Sequence, residues 1–208
     1  WLSPRNRQIM SLDVDLDAAG NQAKAHMQLP WRVGSQGYPE LLHSTQWRMQ
    51  VTADRLQALQ PLLALTGARQ INGKVSLNTQ GQGLWPRVSS EGQARVDGLN
   101  WLPKEGAGVS VASVQADWGV DMRRPDSPVK ALVEVRQVRG ASVEVVDASV
   151  RLNGSVQAHQ GRVHATLTRP PPAQSGEDAA VDDAQPERLT ADLSLQGGLT
   201  WEDAIQAW

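Results

Sequence analysis

Histidine, carboxylate and glycine clusters are where chemistry would be sought first. The chain has four histidines: His26, His43, His159 and His164. The last two flank Gln160-Gly161, a turn signal, and this predicts that they face each other across a hairpin. Two imidazoles without a third ligand make an incomplete metal site. Asp13, Asp15 and Asp17 have the spacing that opens a calcium loop. Such a loop needs Gly at its sixth position and a bidentate Glu at its twelfth, and here Ala18 and Lys24 stand there. They read as the wet face of a strand. Gly81-Gln-Gly83 and Gly106-Ala-Gly108 lack the rest of a nucleotide fingerprint and read as turns. Zero Cys removes thiolate chemistry and any disulfide framework. No catalytic residue, metal or cofactor is assigned, and the chain reads as a non-enzyme.

The chemistry that the sequence does offer is apolar contact, through side chains repeated at every second position. Val114, Ala116, Trp118, Val120 and Met122 alternate with Gln115, Asp117 and Asp121. Val129, Ala131, Val133 and Val135 follow, with Lys130, Glu134 and Arg136 between them. Then come Val143 and Val145; Ala148, Val150 and Leu152; Val163, Ala165 and Leu167; and Leu189 to Leu195. Leu12, Val14 and Leu16, and Trp47 to Ala53, repeat the pattern earlier. Period two is the signature of strands with one apolar face, and about ten strands fit it. Two runs change phase, between Val111 and Val114 and between Val145 and Val146. A slip of one residue turns every side chain to the other face. A bulge near Ala112–Ser113 and another at Val145–Val146 would repair the phase and curve the sheet.

Other elements are few. Leu56, Leu59 and Leu63 have helical spacing, and Pro61 interrupts it, which predicts one or two short helices over 54–66. Thr200 ahead of Trp201-Glu202-Asp203 predicts a short closing helix. Residues 170–187 start with three prolines and carry a run of acids, which predicts a disordered loop between two strands. The formal net charge of −2 gives no electrostatic case for nucleic acid. No apolar run approaches the roughly 20 residues of a membrane span. Starting at Trp1, the 208 residues read as one elongated segment of a longer protein.

The order of these features resembles the TamB-like periplasmic proteins, relatives of the AsmA-like and bridge-like lipid transfer proteins. The likeness runs from Trp47-Arg-Met-Gln-Val to the Leu-rich stretch Leu56–Gly67. It continues through Gly73-Lys-Val-Ser-Leu and Gly81-Gln-Gly-Leu-Trp-Pro86. It ends on Val150-Arg-Leu-Asn-Gly154 with His159, and on Gly197-Gly-Leu-Thr-Trp201. The resemblance implies an all-β fold: a curved, twisted, mainly antiparallel sheet folded into a U-shaped "β-taco" with an apolar lumen. It implies a periplasmic location as part of an inner-membrane-anchored protein. The function implied is passage of phospholipid between the two bacterial membranes. The alternative is a chaperone-like scaffold for outer-membrane proteins and autotransporters. The partners implied are phospholipid acyl chains, a TamA-like outer-membrane barrel engaged through other regions, and nascent outer-membrane proteins.

The residues add a physical argument. An antiparallel sheet with one apolar face must cover that face or use it, and the chain offers no long helix to cover it. With the fold that the resemblance implies, the alternating set from Val114 to Leu167 is the expected lipid-facing lining. An open lumen and a closed sandwich core both satisfy the pattern.

Overall fold

The computed structural model describes residues 8–42, 44–60, 67–84, 86–140, 144–169 and 187–199. The fold is all-β, a single large antiparallel sheet that does not close on itself. Its strands are β1 (Gln8–Ala18), β2 (Asn21–Val33), β3 (Pro39–Leu41), β4 (Gln46–Ala53), β5 (Ala68–Leu84), β6 (Arg87–Pro103), β7 (Val109–Asp121), β8 (Pro128–Arg139), β9 (Glu144–Ser155), β10 (His159–Arg169) and β11 (Glu187–Gly197). Apart from the short β3, which pairs with β2, strands lie side by side in chain order from β1 to β11. This up-and-down order needs only local turns. At the first, Ala19 and Gly20 both have positive φ, 53° and 84°, as a two-residue hairpin requires.

The expected helical stretch at 54–66 is a 3₁₀ turn over Leu56–Leu59 in its described part, and 61–66 lie outside the described residues. Asn21 anchors its entry: Nδ2 donates to the Arg55 carbonyl at 3.1 Å, and Oδ1 accepts from the Arg55 N–H at 3.0 Å. Leu56 is buried at that end of the sheet with Ala53 and Ala68. The expected loop over 170–187 lies outside the described residues except for Glu187, which is a strand residue opening β11, and the closing helix over 200–208 lies outside them too.

Both phase changes coincide with an irregularity, and both belong to one larger feature. Asp97, Ser113, Arg136 and Asp147 pair in a row across β6 to β9. Leu99, Val111, Val138 and Val145 form another. Between the rows, Gly98, Ala112, Gln137 and Val146 are passed over in every ladder. On the β5 side the register shifts: from Lys74↔Asp97 to Asn72↔Asn100, β5 advances two residues and β6 three. On the β10 side, Asp147↔Thr166 gives way to Val145↔Leu167, so β9 advances two and β10 one. Four adjacent strands thus each carry one inserted residue in line. Gly98 and Gln137 have positive φ, 58° and 49°. The insertions form a transverse crease, bounded by one register shift on each side.

Candidate functional site

Directly paired residues share a face, so the registers assign every side chain. One row reads Leu16, Ala23, Val51, Leu77, Ala94, Ala116, Val133, Val150, Val163 and Leu193. It is apolar in all ten strands of the path. At a strand spacing of about 4.8 Å, this track is on the order of 40 Å long. The next row runs Ala53, Val75, Val96, Val114, Val135, Ala148, Ala165 and Ala191, with Asn21 and Ala18 at its β1 end.

The crease keeps the face continuous. β10 alternates without interruption, so Leu167 shares a face with Ala165 and Val163. Leu167 pairs Val145, which pairs Val138, which pairs Val111, which pairs Leu99. The inserted residues therefore return each strand's apolar set to the same side. Were these residues paired in ordinary alternation, Val111 and Val145 would point away from Val114 and Ala148.

The structure brings nearly all of the expected lining together. Val114, Ala116, Trp118 and Val120 in β7, Val129, Ala131, Val133 and Val135 in β8, Val145, Val150 and Leu152 in β9, and Val163, Ala165 and Leu167 in β10 stand on this face. Met122 lies just past β7, its N–H donating to the Val88 carbonyl at 2.8 Å. Val143 lies outside the described residues. Sequence reasoning missed Leu77, Ala94, Val96, Leu99 and Val138, which complete the rows. The Gly-separated, mixed pattern of β6 hid most of them.

No layer covers this face among the described residues. Nearly all of its central side chains are half-buried by their lateral neighbours alone. Exposure is greatest at the two edges, 60% at Leu16 in β1 and 58% and 60% at Leu193 and Leu195 in β11. Among the described residues the lining is the apolar face of one large sheet that does not close on itself, consistent with the curved, taco-like fold expected. Clefts of about 780, 820 and 200 Å³ do cross the sheet, but most of their lining comes from the opposite, polar face, including Arg48, Gln80, Glu91, Gly119 and Lys130.

Tryptophan and glycine shape one margin of the apolar face. The Trp47 ring lies where a Cβ on Gly81 would be, so only glycine lets it cross to β5. Trp118 pairs with Gly92, and its Nε1 donates to Ser90 Oγ at 3.0 Å, which satisfies the indole in an otherwise apolar setting.

The polar face holds the remaining candidates. Asp13, Asp15 and Asp17 accept partners from β2: His26 Nδ1 at 2.6 Å, Lys24 Nζ at 3.8 Å and Gln22 Nε2 at 3.2 Å. They form no converging cluster, and no group of three His, Asp or Glu side chains is placed to hold a metal ion among the described residues. The expected pairing of His159 and His164 across a hairpin is corrected. Both lie on the continuous strand β10, five residues apart, so they point to opposite faces. Gly161 is a mid-strand residue, with Leu195 Cβ and Leu152 Cδ1 3.6 and 3.8 Å from where its Cβ would be. His164 instead meets Asp192 Oδ1 at 2.8 Å and Asp147 Oδ2 at 3.5 Å. The hydrogen bond to Asp192, reinforced by both charges, raises its pKa above the ordinary 6.5. At the end of β7, the hydrogen bonds of Arg123 hold the Asp121 carboxyl below its usual range.

No protein-family model, curated protein or solved structure matches the chain.

Proposed function

We propose that this sheet is a segment of a hydrophobic conduit that moves phospholipid between the inner and outer membranes of a bacterium, its acyl chains lying along the open apolar face. The observation that carries the reading is the row from Leu16 to Leu193, apolar in ten strands and left uncovered among the described residues. Acyl chains need such a track because moving them through water is costly. Each CH₂ costs about 0.8 kcal/mol to expose, so a chain of about sixteen carbons costs on the order of 13 kcal/mol. A continuous track replaces that barrier with many small, equivalent contacts. Val, Ala and Leu suit it because they are small, branched and without headgroup preference.

The test is site-specific photo-crosslinking in bacterial envelopes. A crosslinker at Trp118 or Val133 should capture phospholipid; one at Asp117 or Glu134, on the polar face, should not. Equal labelling of both faces overturns the reading.

The outer sides of β1 and β11, unpaired among the described residues, favour a second reading, in which the sheet accepts strands of nascent outer-membrane proteins.

A further inference from the structure

We infer that the polar face carries a binding site of its own, a cleft that takes an uncharged, extended glycan chain. The site lies on the opposite side of the sheet from the proposed lipid track, and either stands without the other.

Two of the clefts, of about 780 and 820 Å³, meet on this face around Arg48, Gln80, Glu91, Gly119 and Lys130. By register these residues form one row from β4 to β8. Arg48 Nη2 donates to Gln80 Oε1 at 3.2 Å, and Gln80 Nε2 donates to Glu91 Oε1 at 2.6 Å. The chain of hydrogen bonds stops at Gly119. A Cβ there would meet nothing within 4 Å, so Gly119 leaves an open notch between Glu91 and Lys130.

Amide side chains line both sides of this row. Gln50, Asn78 and Gln93 form the next row on one side. Gln28, Gln46 and Gln82 form the next row on the other. Asn is a poor strand former, so the sheet itself gains little from Asn78. Each amide offers two N–H donors and a carbonyl acceptor. Gln50, Asn78 and Gln93 are hydrogen-bonded to no other side chain among the described residues. Sugar hydroxyl and acetamido groups are likewise donors and acceptors at once, and adjacent amides match adjacent groups on a sugar ring.

Charge, shape and contact select a glycan. Arg48 and Lys130 are balanced by Glu91 and Asp117, so the cleft has little pull on a charged polymer. The second cleft crosses the strands from Arg48 in β4 to Arg151 in β9, about 24 Å at the usual strand spacing. Its amides recur once per strand, a step close to the rise of one sugar in an extended chain. Leu132 stands on this face between Asp117 and Arg151 and suits the C–H side of a pyranose ring. A peptide lying across the strands would find the backbone groups beneath it already paired in the ladders.

The experiment is titration calorimetry on the 208-residue chain. The probes are cellohexaose and chitohexaose, which are extended, maltohexaose, which coils, and polygalacturonate, which is charged. An extended hexasaccharide should bind roughly tenfold or more tighter than maltohexaose. Gly119→Thr fills the notch with a residue suited to a strand, and should weaken binding by a similar factor with an unchanged urea midpoint. The Gln50→Ala, Asn78→Ala, Gln93→Ala variant should do the same by removing hydrogen bonds. Equal binding by the native chain and both variants places the sugar elsewhere and overturns the inference. So does equal binding of maltohexaose, preference for polygalacturonate, or no extended hexasaccharide bound at millimolar concentration. Dimerisation that the triple variant abolishes assigns the amide patch to a second copy of the chain and also overturns it.

Discussion

His164 sits on the polar face between Asp192 of the edge strand β11 and Asp147 of β9. Its pKa is raised in the folded chain, so the protonated ring favours folding. That stabilisation is fully present below the ordinary value of 6.5 and is lost as pH rises through the raised value. Amide exchange within Glu187–Gly197 should therefore quicken, beyond its intrinsic pH dependence, as pH rises from about 6 to 8. His164→Gln should remove this extra dependence, and equal behaviour of both proteins would rule the contact out as a clasp. This pairing was not legible in the sequence. Gly161 carried the signal of a turn, but it is a gap in a strand flanked by Leu152 and Leu195. β10 turns Val163, Ala165 and Leu167 to the apolar face, so His164 falls on the polar one. Which acids reach it depends on register, and register is a property of three strands together.

At the scale of elements, the sequence was most informative where its pattern failed. The phase changes at Val111/Val114 and Val145/Val146 marked two of the four inserted residues. The other two were hidden. β6 reads Val96, Leu99 and Trp101 across a glycine, and β8 offers only Val138 beyond its run. In β6 the phase change falls on a glycine, and in β8 a single apolar residue follows it. The row makes the four insertions interdependent. Deleting Gln137 alone should either strand Val138 or slide β8 by one residue and turn Val129 to Val135 toward water. The expected cost is at least about 2 kcal/mol in urea unfolding. Gln137→Gly, which removes a side chain from a backbone at φ 49°, should instead be neutral or stabilise by about 1 kcal/mol. Similar losses for both variants would contradict a positional role for the inserted residue.

Across the whole molecule, the all-β class and the segregation of apolar and polar side chains were legible, because period two reports them directly. Whether the apolar face is covered was not, since an open face and a closed core share one pattern. Openness has a measurable signature. In a packed core, a charge at Ala116 or Val133 would cost several kcal/mol. On a half-exposed face, Ala116→Asp or Val133→Asp should cost less than about 2 kcal/mol while abolishing lipid capture by a crosslinker at Trp118. Loss of folding would instead mean that these side chains form a core. The crease bears on a different problem, assembly of the sheet. A long alternating strand that slips by two residues keeps its faces and pairs almost as well, so such sheets have many near-equal alignments. An unmatched inserted residue penalises each of them. Gly98, Ala112, Gln137 and Val146 meet in line in one alignment only, so the row works as a registration mark that gives a repetitive sheet a single correct assembly.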